Sequence, residues 1–140
     1  MSKKIPISKK LSKRKYAPAP RLIAWIYKTI MVNIVGRKYK PNFHIIDDVN
    51  DGDGPCFVIF NNLTRIDHVY VCGATYPRIT NMIAGHSEFY RKKFSFIFKL
   101  NRVIPKKNYS PDRLTIGATG KVIKKGGCVT FAPEGLASDY

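Results

Sequence analysis

The stretch CFVIFNNLTRIDHVYV, residues 56–71, decides the fold class. It begins with five apolar residues, rich in β-forming types, that stand between the turn-forming residues 47–55 and a polar elbow. A continuous apolar run of this length is typical of a strand buried on both faces, which occurs in parallel or mixed sheets. Residues 66–75 then have the composition of a helix, and Thr64 can cap its first turn. The stretch therefore predicts a strand followed by a helix, the repeating unit of an α/β fold.

The same alternation continues along the chain. Further strands are predicted at NFHII (42–46), ITNMIAG (79–85), RVIP (102–105) and CVTFA (128–132). A helix is predicted to start at Ser87, with these apolar residues near one face: Phe89, Phe94, Ile97, Phe98 and Leu100. Another is predicted within residues 110–127, capped by Ser110, with Pro111 in its first turn and a glycine pair at its end. We expect an α/β fold with a mixed, largely parallel sheet flanked by helices.

The amino-terminal part differs from the rest in composition. Residues 1–20 are basic and end in APAP, which predicts a disordered tail. Residues 21–40 predict an amphipathic helix that Gly36 can close, and its apolar stretch of about 14 residues is shorter than the ~20 needed to span a bilayer. It can lie in a membrane interface, with Trp25 and Tyr27 at the headgroups, or pack on its own domain. Residues 41–140 form the remaining domain.

The charge of the chain predicts an anionic partner. Twenty-five Lys and Arg against nine Asp and Glu give a net charge of +16. Such an excess favours nucleic acid, an acidic membrane surface, or a phosphorylated or thioester-bearing acidic substrate. Three scattered cysteines (Cys56, Cys72 and Cys128) indicate reduced, buried thiols, and neither they nor the three histidines have zinc-ligand spacing. We therefore predict no metal site.

Three polar loops follow predicted strands: NNLTRID, PKKNY and PEGLAS. Ligands of open α/β sheets bind beyond the carboxyl ends of the strands, so these loops are the candidate site. In this order, they resemble the three motif blocks of the glycerolipid acyltransferase family, and the resemblance covers roughly residues 56–138. Family members usually continue beyond the third block, which predicts that the domain within 41–140 is incomplete at its carboxyl end.

The first block of the family is Asn-His, four further residues and Asp, usually with Ser two places after the His. Here Asn62 stands at the His position, Thr64 at the Ser position and Asp67 at the Asp position. The second block ends in a cation that holds the acceptor phosphate, and Lys107, preceded by Lys106, stands there instead of the usual Arg.

In the third block, a strand leads into Phe-Pro-Glu-Gly-Thr-Arg-Ser in the family. This chain keeps Pro133, Glu134, Gly135 and Ser138 but has Ala132 in place of the Phe. The resemblance implies that these four residues bind the acceptor.

The resemblance also implies an activity: transfer of a fatty acyl group from acyl-CoA or acyl-carrier protein to 1-acylglycerol 3-phosphate, in phospholipid biosynthesis. The thioester is a co-substrate, and no further cofactor is implied. The implied location is peripheral, on the cytoplasmic face of the membrane. In the family, the His removes the proton from the acceptor hydroxyl and the Asp orients that His. Asn62 is an uncharged amide without useful basicity.

Three hypotheses from different classes follow. The first is an acyltransferase. The second is a catalytically silent relative that binds lipid phosphate or anionic membrane, which Asn62 favours. The third is a nucleic-acid-binding protein, which the basic charge permits, although no recognition-helix, RNP-like or zinc signature is visible. His68, which follows Asp67 directly, is a weak substitute base, since helical neighbours point about 100° apart.

Overall fold

The computed structural model describes residue 11 and residues 13–40, 42, 44, 46, 54–61, 67–107 and 110–134. The elements alternate as an α/β fold requires. In chain order they are α1 (Arg21–Tyr39), β1 (Phe57–Ile59), α2 (Asp67–Ala74), β2 (Thr80–Gly85), a 3₁₀ helix (His86–Tyr90), α3 (Lys92–Leu100), β3 (Ile104–Lys106), α4 (Arg113–Ile123) and β4 (Cys128–Phe131).

The four strands form one sheet in the order β1-β4-β2-β3. All three pairings are parallel: Phe57 pairs with Val129, Thr80 with Cys128, and Ile83 with Ile104. The predicted α/β class is confirmed, and the strands predicted within residues 56–60, 79–85, 102–105 and 128–132 are present. The strand expected at 42–46 lies largely outside the described residues.

The prediction that the first strand is buried on both faces is wrong. Phe57 is 55% exposed and Ile59 is 61% exposed. The reason is the strand order, which places β1 at one edge of the sheet while α4 packs on β3 and β4. Hydrophobic composition predicted the strand but not its place in the sheet.

The core lies on both faces of the sheet. On one face, Ala118 and Val122 of α4 pack with Ile104, Val129 and Tyr16. A second cluster joins Leu11, Phe89 and Val103, with Met82, Ala84 and Phe98 packed against it. Helix α1 packs on α2 rather than on this core.

The segment before α1 is ordered against the sheet in its described part, whereas composition predicted a disordered tail over residues 1–20. Leu11 is 2% exposed, Tyr16 5% and Ala19 7%. The Tyr16 hydroxyl donates to the Leu11 carbonyl at 2.9 Å, and the Ala19 N–H donates to Asn81 Oδ1 at 3.2 Å. The prediction of disorder rested on the many charges of this segment. It did not consider that single apolar side chains such as Leu11 and Tyr16 can pack into the core.

Three helix predictions need correction. Helix α1 continues through Gly36 to Tyr39, and its C-cap is Lys40, whose φ of 41° is left-handed and whose N–H donates to the Gly36 carbonyl at 3.0 Å. A glycine inside a helix costs only about 1 kcal/mol and does not end it unaided. The helix predicted from Ser87 is broken at Arg91, whose backbone is extended, so that a 3₁₀ helix precedes α3. Leu100 is 37% exposed rather than on the buried face.

Helix α4 begins later than predicted. Its N-cap is Asp112 rather than Ser110: the Asp112 carboxylate accepts from the Leu114 N–H at 3.0 Å. The predicted stop is confirmed, since Gly126 has a left-handed φ of 74° and the Gly127 N–H donates to the Val122 carbonyl at 3.0 Å.

Candidate functional site at the carboxyl edge of the sheet

The parallel sheet brings the described parts of the three loops to one edge. Asn61 lies just beyond β1, Pro133 and Glu134 just beyond β4, and Lys107 just beyond β3. Neighbouring strands lie about 4.8 Å apart, so β4 and β3, with β2 between them, are separated by roughly 10 Å. The edge therefore presents a carboxylate near one end and a cation near the other.

The described residues of the first block are Asn61, just beyond β1, and Asp67. Asp67 opens α2, where a carboxylate in the first turn is stabilised by the positive end of the helix dipole. Asn62 and Thr64, the other two predicted site residues of this block, lie outside the described residues, as do Gly135 and Ser138 of the third block.

The second block is held in place by Asp112. The backbone N–H of Lys107 donates to Asp112 Oδ2 at 2.9 Å, while Oδ1 caps α4. Partial burial would raise the pKa of the Asp112 carboxyl, but hydrogen bonds from Lys107, Thr115 and Leu114 hold that pKa below its ordinary value. Lys106 is half-buried and Lys107 is exposed, so Lys107 is the cation of this pair that faces solvent.

Sequence reasoning missed two residues of this edge. Asp112 fixes the Lys107 loop, and its signal was the common Asp N-cap before a helix. His86 follows β2 directly and so lies between the ends of β4 and β3. Its ring packs edge-on against Tyr90, with centroids 5.2 Å apart. His86 brings a titratable imidazole to the middle of the edge.

A largely apolar cavity of about 50 Å³, open to solvent, lies between α1, α2 and α3. Its lining includes Ala24, Tyr27 and Lys28 of α1, His68 and Cys72 of α2, Thr80 and Met82 of β2, and Ile97 and Phe98 of α3. From His68 in the first turn of α2 to Thr75 just after it, the lining runs along the helix for about 10 Å, at 1.5 Å per residue.

Most of the cavity wall is apolar, but two cations also line it: Lys28, whose Nζ lies 3.4 Å from the Tyr76 ring centroid, and Arg78, which donates to the Gly54 carbonyl. His68 Nε2 lies 3.1 Å from the Tyr27 hydroxyl. Burial raises the pKa of Tyr27 far above its ordinary value, and raises that of the Cys72 thiol to about 11, so both stay uncharged at neutral pH. The cavity therefore suits an apolar ligand. Tyr27 lines this cavity, whereas Trp25 is 51% exposed.

The outer side of α1 carries exposed apolar residues. Leu22 is 66% exposed, Trp25 51%, Ile30 52% and Ile34 60%. Within the part of the chain that the structure describes, no helix is both long enough and apolar enough to cross a membrane.

Comparison with known proteins gave no assignment: no family model, no curated protein and no solved structure matches this chain.

Proposed function

We propose that this chain is a glycerolipid acyltransferase-like protein that transfers a fatty acyl group from an acyl thioester to 1-acylglycerol 3-phosphate. The observation that carries the proposal is that the described residues of the three motif-bearing loops follow strands at one edge of a parallel sheet, which is where open α/β sheets bind ligands. The separate sequence blocks thus contribute to a single site.

The charges at this edge support an anionic acceptor. Lys107 and Lys106 hold the phosphate as point charges, without the bidentate geometry of an arginine. Glu134, just beyond β4, accepts hydrogen bonds from the glycerol hydroxyl. Asp67 lies at the start of α2, the helix that follows β1. The edge is therefore divided into a phosphate end and a hydroxyl end.

The apolar cavity supports an acyl ligand. It is lined mainly by hydrocarbon side chains and runs from the first turn of α2 toward its last, about 10 Å. Burial of methylene groups in such a cavity contributes about 0.8 kcal/mol each. The chain of either the donor or the acceptor then lies between α1 and α2, with its polar end at the carboxyl edge.

The exposed residues of α1 support a peripheral position on an anionic membrane. Trp25 and Ile30 supply apolar contact at the level of the headgroups, and Arg37 and Lys38 in the last turn of the helix add positive charge. A lipid acceptor would reach the site from that surface.

A second candidate function is favoured by Asn62. A positioned general base contributes about 10²–10⁴ in rate, and an amide cannot supply it. A chain with Asn62 that binds the acceptor and the membrane without turnover would be a catalytically silent relative.

The experiment that separates the two measures acyl transfer to 1-acylglycerol 3-phosphate, with acyl-CoA or acyl-carrier protein as donor and anionic vesicles present. The natural chain is compared with Asn62→His and with Asn62→Gln, a matched amide control. Turnover by the natural chain, retained in Asn62→Gln, would show that another base acts. His68→Gln and His86→Gln would then be assayed in turn; His86 has priority because His68 is hydrogen-bonded to Tyr27.

Turnover only in Asn62→His, by 10²-fold or more, would establish the site as an acyltransferase site that lacks its base and the natural chain as the silent binder. Silence of every variant, together with no vesicle-dependent binding of 1-acylglycerol 3-phosphate, would refute both functions.

A further inference from the structure

Two of the three cysteines lie side by side at the amino ends of β1 and β4, away from the candidate site. Cys56 precedes β1 and Cys128 begins β4, just before the paired residues Phe57 and Val129. The Val129 N–H donates to the Cys56 carbonyl at 2.9 Å. Neighbouring parallel strands lie about 4.8 Å apart, within the ~4.4–6.8 Å between the Cα atoms of disulfide-linked cysteines. Side chains in register share a face, so the two thiols lie on the same side of the sheet.

An arginine adjoins the Cys128 thiol. Arg78 Nη1 lies 3.7 Å from Cys128 Sγ and donates to the Gly54 carbonyl at 3.2 Å, two residues before Cys56. Burial raises the pKa of the Cys128 thiol, and the charge of Arg78 acts in the opposite direction, toward the thiolate that is the nucleophile of disulfide exchange. Cys56 is partly exposed, whereas Cys128 is 3% exposed, so the two thiols differ in access.

We propose that Cys56 and Cys128 form a reversible intramolecular disulfide when the chain meets an oxidised low-molecular-weight disulfide, with Arg78 placed beside the Cys128 thiol. The Cys56 thiolate attacks one sulfur of glutathione disulfide, forms a mixed disulfide and releases one glutathione thiolate. Cys128 then attacks the Cys56 sulfur and releases the second. Two protein thiols and one glutathione disulfide give one protein disulfide and two glutathione thiols, which take up the two protons.

Cys72 provides the internal control. It lies on α2 in the apolar cavity, where burial raises the pKa of its thiol to about 11. At neutral pH the Cys72 thiol stays protonated. It lies on α2 rather than beside Cys56 and Cys128 at the amino ends of the strands.

The test uses the full chain in glutathione buffers of stepwise increasing oxidised fraction, followed by acid quench, alkylation of remaining thiols and mass spectrometry. Arg65, Arg78 and Lys125 separate the three cysteines along the chain, so trypsin places each on a different peptide. The variants are Cys56→Ser, Cys128→Ser and Cys72→Ser, with Arg78→Gln and Arg78→Lys for the cation.

We expect the natural chain and Cys72→Ser to lose two alkylatable thiols, to become 2 Da lighter through loss of the two thiol protons, and to yield the linked Cys56–Cys128 peptide. Cys56→Ser and Cys128→Ser should yield no such peptide. Arg78→Gln should slow its formation several-fold at pH 7, and Arg78→Lys should slow it less. Three thiols that stay free at full oxidation, a linked peptide that contains Cys72, or only intermolecular bridges would overturn the proposal. The linked peptide in the natural chain decides the matter even if a serine variant fails to fold.

Discussion

Asn81 joins the amino-terminal segment to the centre of the sheet, and its removal is the most direct test of the fold. The side chain is fully buried in β2 and makes three hydrogen bonds. Oδ1 accepts from the Ala19 N–H at 3.2 Å, and Nδ2 donates to the carbonyls of Ala17 at 2.9 Å and Arg102 at 3.2 Å. At about 1 kcal/mol for each bond, Asn81→Ala is expected to lower the free energy of unfolding by about 3–4 kcal/mol, since it also leaves buried backbone groups without a partner.

The assay is urea unfolding followed by circular dichroism, with Thr115→Val as the matched control. The buried Thr115 hydroxyl donates to the Pro105 carbonyl at 2.7 Å, and loss of that bond should cost about 1 kcal/mol. A loss below 1 kcal/mol for Asn81→Ala, or a loss no larger than that of Thr115→Val, would refute the packing of residues 13–20 on the sheet.

Asn81→Asp adds a pH-dependent test of the same contact. Its carboxylate could accept from the Ala19 N–H, but the other oxygen would face two carbonyls that also only accept. Burial and these carbonyls would raise the folded-state pKa above the unfolded value of about 3.9. Relative to the natural chain, the variant should thus be most stable below the unfolded pKa of about 3.9. Its free energy of unfolding should then fall as the pH rises through the folded-state pKa. A difference that stays constant between pH 3 and 7 would contradict this.

Further predictions concern the helices and the membrane. Gly127→Ala should lower the free energy of unfolding by about 1–3 kcal/mol, because a Cβ there would lie 2.7 Å from two side-chain carbons. Gly117→Ala, where a Cβ would meet open space, should raise that free energy by about 0.5–1 kcal/mol. Urea unfolding in which Gly127→Ala is the more stable of the two variants would contradict both expectations. Asp112→Ala should cost about 1 kcal/mol above pH 5, and the loss should shrink as the pH falls through the lowered pKa of Asp112, because its contribution exists only while it is ionised; equal losses at pH 3 and 7 would exclude the charge as the cause. Native Cys72 should resist alkylation at pH 7.5 until urea unfolds the chain, as a time course with iodoacetamide would show. The fluorescence of Trp25, the single tryptophan, should shift to the blue with anionic but not zwitterionic vesicles, and an unchanged spectrum would count against α1 as the membrane contact.

Part of the candidate site was predictable because its signals are local. Lys107 and Glu134 stand directly after apolar runs, so the strand predictions alone placed them at strand ends. His86 also follows a strand, but its place between β4 and β3 depends on the strand order. The apolar cavity was beyond sequence reasoning, since it is formed by side chains from three helices and a strand that are far apart in the chain.

The sequence by itself determined the alternation of strands and helices, and therefore the parallel sheet, because hydrophobic period and helix caps act over a few neighbouring residues. Only the tertiary structure decided that β1 lies at an edge, that Asn81 binds the segment around Ala19, and that Cys56 adjoins Cys128. Those contacts join residues more than 60 positions apart. Such contacts form where burial and hydrogen bonding outweigh the entropy of closing a long loop, a balance that no local pattern records.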